Sequence, residues 1–289
     1  MAAIHILRRR IKSVKNTRQI TRAMKLVAAA KMKKAQERVY NARPYARKLQ
    51  EMIQHIASRI DIKTHPLLEV REEKKIKLVV VTADRGLCGA FNANVIKRAM
   101  QFLDENKDSK EVYLEFVGRK GFEFFKKKWD KKDREVLGLF NKFDSTVAEK
   151  IAEDLLEDFI EKRYDAIYFV YNEFKSVLQQ NLVVEKLLPI EHGDFSGEEK
   201  EEPLVEHIFE PSIEEVLNEL LPLHIKTQVY RVLIESNAAE FAARMTAMDA
   251  ATNNATEMID KLTLTMNKIR QAAITKEIIE VVSGAEVKN

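Results

Sequence analysis

Stepping alternately by three and four residues from Ile4 meets Leu7, Ile11, Val14, Ala28, Met32, Ala35, Val39, Leu49, Ile53, Ile56 and Ile60. A seam recurring every 3.5 residues over this distance is the mark of a helix that winds around another helix. It predicts one helix over residues 1–62, with a polar interruption where the stepping lands on Arg18, Thr21 and Lys25. Pro44 lies inside the run and predicts a kink or local adjustment there. From Ile234 the same stepping meets Ala238, Phe241, Met245, Met248, Thr252, Ala255, Ile259, Leu262, Met266, Ile269 and Ala273. This predicts a second long helix over 212–286. An ordinary bundle would need further helices of matching length, and the pattern offers none. The two segments are therefore expected to pair with each other, antiparallel, because the chain between them must return. At 1.5 Å per residue, about 57 residues of the first span roughly 85 Å and about 70 residues of the second, from 213 onward, roughly 105 Å, so the C-terminal helix should overhang its partner by a few turns.

Between about 75 and 190 the pattern changes. Leu78–Val81 is a short apolar run leaving into Asp84-Arg85-Gly86-Leu87-Cys88-Gly89, as a buried strand does when it enters a loop. A helix is expected to about Lys107, a strand over Val112–Val117 closed by Gly118-Arg119-Lys120-Gly121, and a helix over 144–162. Strands are expected again over Ala166–Tyr171 and Asn181–Leu187. Strands alternating with helices indicate a doubly wound, Rossmann-like α/β domain. The predicted fold class is thus mixed: a long antiparallel coiled coil of N- and C-terminal helices with an inserted α/β domain at 75–190. Residues 191–211, rich in Glu with Gly193, Gly197 and Pro203, read as an acidic linker.

Composition supports long helices, since 8 Gly and 6 Pro in 289 residues leave few breakers. Charge is divided. Residues 1–63 carry a net +14 and residues 191–219 a net −10, so the two regions should meet different surroundings. A basic end suits nucleic acid, anionic lipid or an acidic protein surface, and charge alone does not choose among them. Cys88 is the single cysteine, which excludes an intrachain disulfide or a thiolate metal cluster. No apolar run is long enough to span a bilayer, and the basic, amphipathic N-terminus lacks a secretory signal's apolar stretch. A reducing, cytoplasmic setting follows as the expectation.

Catalytic signals are weak. The strand–loop–helix at 78–95 sits where nucleotides bind in such folds, but Gly86 and Gly89 make no G-x-G-x-x-G, and no P-loop motif occurs. Histidines at 5, 55, 65, 192, 207 and 224 have no metal-ligand spacing. No catalytic residue, metal or cofactor is expected.

Three motifs carry a resemblance: RRRIKSVKNTRQITRAMKLVAAAKMKKAQ at 8–36, TADRGLCGAFN at 82–92, and AARMTAMDAATNNA at 242–255 with NKIRQAAITKEIIEVVSGA at 267–285. In that order and along essentially the whole chain, they resemble the gamma subunit of F-type ATP synthases. The resemblance implies a bacterial-type, non-catalytic rotor shaft without a thiol switch. One copy would stand inside a hexamer of alpha and beta subunits, with its α/β foot and the epsilon subunit on a membrane ring of c subunits. Proton flow would turn ring and shaft, and the catalytic sites would belong to beta. The expected location is peripheral, on the cytoplasmic face of the bacterial inner membrane.

The same resemblance assigns roles by position. Met24 and Lys25, in a basic band with Arg18, Arg22, Lys31, Lys33 and Lys34, would pass an acidic loop of beta. Arg244, Arg270, Gln271, Thr275, Glu277 and Glu280 would contact a beta loop near the tip. Ile278, Ile279, Val281 and Val282 would turn in an apolar bearing. Asp84, Arg85 and Cys88 would brace the foot against the shaft. Two other readings compete from the residues alone, a basic coiled-coil module binding nucleic acid and a nucleotide-binding α/β enzyme.

Overall fold

The computed structural model describes residues 2–57, 65–141, 143, 145–177, 179–190 and 212–286. The expected linker at 191–211 lies outside them. A first helix, α1 (Ala2–Ala57), is followed by β1 (Lys75–Val81), α2 (Phe91–Asn106), β2 (Glu111–Val117), α3 (Arg119–Phe125), β3 (Lys132–Val136), α4 (Ser145–Ile160), β4 (Ala166–Phe174) and β5 (Gln180–Leu188), and the last helix is α5 (Ile213–Glu286). Both long helices run on through an internal proline, Pro44 in α1 and Pro222 in α5. The chain forms two compact units, one of residues 30–243 and one joining 1–29 to 244–289.

In the larger unit the strand order is β3-β2-β1-β4-β5. The first four strands are parallel, and β5 returns antiparallel to β4. Alternate residues of β1 feed two cores, as a strand covered on both faces requires. Ile76, Leu78 and Val80 pack with Val95, Ala99 and Leu103 of α2 and Phe125 of α3. Val79 and Val81 pack with Ile151 and Leu155 of α4, with Leu49, Ile53 and Ile56 of α1, and with Leu221, Ile225 and Val229 of α5. Helices therefore cover both faces of a doubly wound sheet, and the loop after β1 emerges at the carboxyl end of the central strand.

The structure corrects the reading of Gly118–Gly121 as a simple strand closure, because Arg119 already begins α3. Two glycines make that helix possible. Gly118 has φ of +95°, and a Cβ there would lie 1.9 Å from the Thr82 carbonyl oxygen. Gly121 donates its N–H to Thr82 Oγ1 at 2.8 Å, so the helix start sits directly on the end of β1. The strand β3 was not anticipated either. Its sequence, KDREV, is charged enough to resemble a surface loop, and charge of this kind is how an edge strand avoids pairing with another chain.

A charged cluster lies inside the sheet's α4 face. Lys77 is fully buried and pairs with Glu115 of β2 at 3.0 Å, with Asp158 of α4 at 2.5 Å and with Asp133 of β3. Burial alone would discharge the ammonium, but the charge of Glu115 and hydrogen bonds to Asp133 and Asp158 outweigh it and hold the pKa above the usual lysine value. Arg134 and Arg163 balance Asp158 further, at 2.8 and 3.1 Å.

The smaller unit pairs the first half of α1 with the second half of α5. Thr21 Oγ1 stands 2.8 Å from Thr252 Oγ1, and Lys25 Nζ lies 2.6 Å from Asp249 Oδ1. As the number rises on one helix it falls on the other, so the pair is antiparallel. Ile11, Ala28, Met248, Ala255 and Ile259 are the buried apolar residues of this seam. At this register Ala2 comes level with about residue 271, which leaves a last stretch of α5 roughly 20 Å long beyond its partner.

Candidate functional site

The loop after β1 is built around two side chains. Asp84 is buried, and its carboxylate accepts backbone N–H bonds from Arg119 at 3.2 Å, Gly138 at 2.8 Å and Phe140 at 3.3 Å. It thereby ties together the loops that follow β1, β2 and β3, and these bonds lie within the sheet domain itself. Asn92 holds the other side of the loop. Its Oδ1 accepts from Ala83 N at 2.9 Å, and its Nδ2 donates to Cys88 Sγ at 3.1 Å. Arg85 is exposed. Cys88 is buried, in a cluster with Ala35 and Val39 of α1 and Ile234, Ala238 and Ala239 of α5. Of the three loop residues named from the resemblance, Cys88 is the one in that apolar cluster with the helix pair. Leu87, between them, holds φ at +65° and is 62% exposed.

The small residues opposite the loop explain how it gets so close. Ala35, Ala238, Ala239 and Ala242 present no bulk, so Phe91 and Phe174 pack against the helix pair. Nearby, Lys31 Nζ lies 5.5 Å from the centre of the Phe241 ring, and the Arg38 guanidinium 5.6 Å from that of Phe143.

On the helix pair of the smaller unit, Met24 is half-buried and Lys25 is held by Asp249. Arg18 and Arg244 are half-buried too, while Arg22 is exposed, as are Lys33 and Lys34 in the larger unit. From Arg270 to Ser283 every side chain except that of Ala273 is exposed. Arg270, Gln271, Thr275, Glu277 and Glu280 all fall in this stretch. The Thr275 hydroxyl donates to its own helix, at Gln271 O, 3.0 Å away, and Lys276 lies 3.6 Å from Glu280. Five large apolar side chains stand bare here: Ile274 is 49% exposed, and Ile278, Ile279, Val281 and Val282 are 57%, 59%, 72% and 52% exposed. A run of apolar side chains left in water at a helix end marks a surface that another molecule covers.

Sequence reasoning missed Asp249, the partner of Lys25, and Asn92, although both lie within motifs already quoted. It also missed Arg231, which joins α5 to β4 and β5. An arginine in a heptad segment reads as a solvated position, and only the fold brings Glu185 to it. No helix among the described residues is long and apolar enough to cross a membrane.

Comparison with known proteins agrees along the whole chain. The family model described as ATP synthase matches residues 3–287. The ATP synthase gamma chain of Geobacter metallireducens is 48% identical over 287 residues, covering 99% of each chain. That of Pelotomaculum thermopropionicum is 50% identical over 285 residues, again covering 99% of both. Among solved structures, a chain from the central stalk and c-ring of the Tetrahymena thermophila mitochondrial ATP synthase matches with a TM-score of 0.60 and 26% identity, over 80% of this chain and 99% of that one. The chain belongs to the ATP synthase gamma chain family.

Proposed function

We propose that this chain is the rotor shaft of a bacterial F-type ATP synthase, coupling proton flow through a membrane c-ring to ATP synthesis in an alpha/beta hexamer. In this reading the helices at 1–62 and 212–286 are the shaft, 75–190 the foot, and 191–211 a linker between them. The chain itself carries out no chemistry. It works by offering each catalytic subunit a different surface as it turns, and a difference in contact energy is what shifts a binding site between states. The observation that carries the reading is the bare C-terminal stretch of α5, with its apolar Ile278, Ile279, Val281 and Val282.

Nondirectional apolar contact at that tip would hold the shaft end while opposing rotation little. Arg244, Arg270, Gln271, Thr275, Glu277 and Glu280 would exchange polar contacts with a beta loop, each bond breaking and re-forming at modest cost. Met24 and Lys25, with the surrounding cations, would pass an acidic beta surface. The foot would rest on the c-ring with the epsilon subunit, on the cytoplasmic face of the membrane. The nucleic-acid alternative has no support from the relatives of the chain, and from Arg8 to Lys34 no aromatic side chain lies among the cations of its basic end.

Co-expression with cognate alpha and beta subunits tests the reading. One copy per hexamer is expected, with sustained ATP turnover lost when residues 270–289 and the N-terminal helix are both removed. A chain that never joins the hexamer would overturn it.

A further inference from the structure

Apolar packing, a solvent-exposed ion pair between Lys226 and Glu153 of α4, and one partly buried polar cluster join the sheet domain to α5 by different means. The apolar part is Leu217, Leu221, Ile225, Val229, Val232 and Leu233 of α5. The polar part centres on Arg231. Its Nη1 donates to the Tyr171 hydroxyl of β4 at 3.1 Å, and its Nη2 is paired with a carboxylate oxygen of Glu185 on β5. The Tyr171 hydroxyl donates to the other oxygen of Glu185 at 2.7 Å, which closes a three-membered ring of contacts. Gln228 Oε1 accepts from Arg231 Nε at 2.6 Å, and Glu235 lies 3.5 Å from Nη1, so the guanidinium is held from its own helix as well. Tyr171 and Glu235 are buried, and the Arg231 and Glu185 side chains are half-buried, so the ring is shielded from water on its Tyr171 side.

We propose that the Arg231–Glu185–Tyr171 cluster is the shear-bearing joint between foot and shaft, the place where turning force passes from the sheet into α5. The inference rests on the rotor reading above. Apolar contacts oppose separation of two surfaces, but they are nondirectional and re-form after a slide. A planar guanidinium gripped by a carboxylate and a phenol has one geometry, and moving α5 by a single turn of 5.4 Å breaks both of its bonds to the sheet. Tyr171 and Glu185 lie on neighbouring strands, Tyr171 opposite Val183, so the load would be spread over two hydrogen-bonded strands of the sheet.

The test uses the complete complex in sealed vesicles, with protons pumped per ATP hydrolysed measured against a rising opposing proton gradient. Arg231→Met keeps the apolar stem and removes the joint. It should assemble in normal stoichiometry and pump normally at low opposing gradient, then slip about tenfold more often at high gradient, the loss of one hydrogen-bonded charge. Arg231→Lys, which keeps one ion pair, should recover part of the high-gradient coupling. A wild-type load dependence in Arg231→Met would overturn the proposal. If that variant does not assemble, Glu185→Gln, nearly isosteric, decides by the same criterion. Failure of the wild-type chain to join the hexamer would instead overturn the rotor reading, so the two failures are distinguishable.

Discussion

Lys25 and Asp249 meet at 2.6 Å across the antiparallel helix pair, one turn from the place where Thr21 meets Thr252. The two contacts form a polar layer in a seam whose other buried residues, Ile11, Ala28, Met248, Ala255 and Ile259, are apolar. A polar layer in a coiled coil specifies register, because sliding the helices leaves its members facing apolar side chains.

Reversing one charge should therefore loosen this unit. Asp249→Lys is expected to destabilise it by about 0.5–1 kcal/mol, a small value because both side chains are more than a third exposed. The double reversal, Lys25→Asp with Asp249→Lys, should restore most of the loss. Amide hydrogen exchange at residues 18–28 and 245–256 reads both. A double reversal no better protected than the single change would show that the pair contributes nothing to register.

Lys77 presents the opposite case, an ion cluster whose central cation and two of whose carboxylates, Glu115 and Asp158, are buried, with Asp133 at its edge. Lys77→Met should cost about 3–5 kcal/mol, because it leaves Glu115, Asp133 and Asp158 together without their central cation. Replacing Glu115 by Leu at the same time should return part of that stability. Urea unfolding of the purified chain gives both values.

Two glycines in neighbouring loops should respond differently to the same change. Gly118→Ala would force a Cβ to within 1.9 Å of a backbone carbonyl oxygen at a φ of +95°, and should cost at least about 3 kcal/mol. Gly86 has nothing within 4 Å of a Cβ, so Gly86→Ala should change the unfolding midpoint little.

His224 gives the chain a pH dependence of known sign. Burial first, and the charge of Arg231 second, hold its pKa down to about 4. The unfolded chain therefore takes up this proton first as the pH falls. The stability this group confers is intact above about pH 6.5, declines between there and about pH 4, and is level below. By pH 5 the loss should reach about 2 kcal/mol. Comparing urea midpoints at pH 7.5 and 5 for the wild type and His224→Leu isolates it, since the variant lacks this one contribution. An equal pH response in the two would show that His224 does not titrate as its burial implies.

Sequence periodicity revealed the long helices, their antiparallel pairing and the α/β insert because each leaves a local signature. A 3.5-residue seam needs only its own helix to be seen, and Leu78–Val81 is apolar because both faces of β1 are covered. What stayed hidden depends on residues far apart in the chain. Lys77 reads as a solvated start of a strand until Asp158 is brought to it, and Arg231 reads as a wet helix position until Glu185 is. The edge strand β3 looks like a loop because its charges serve an exposed edge. Of the candidate site, the bare tip follows from helix length and register, whereas the internal partner of Lys25 does not. Asp84 was singled out in the right loop, yet its carboxylate joins three loops of the sheet domain to one another, a use that neighbouring letters do not disclose.

The separation of α1 from its packing partners also bears on how the chain is made. Ala35 and Val39 bury their side chains against Ile234 and Ala238, and Leu49, Ile53 and Ile56 share a core with Leu217 and Leu221. The first helix leaves the ribosome nearly two hundred residues before Ile234 does. At about 5–20 residues per second its seam waits on the order of 10–40 s for a partner. During that wait Arg18, Lys25, Ala28 and Ala35 keep the middle of the seam from presenting a run of leucines, while Leu49, Ile53 and Ile56 share a core with Leu67, Ile151 and Leu155, which are made well before α5. A seam composed for a late partner is thus also one whose middle can wait while synthesis catches up.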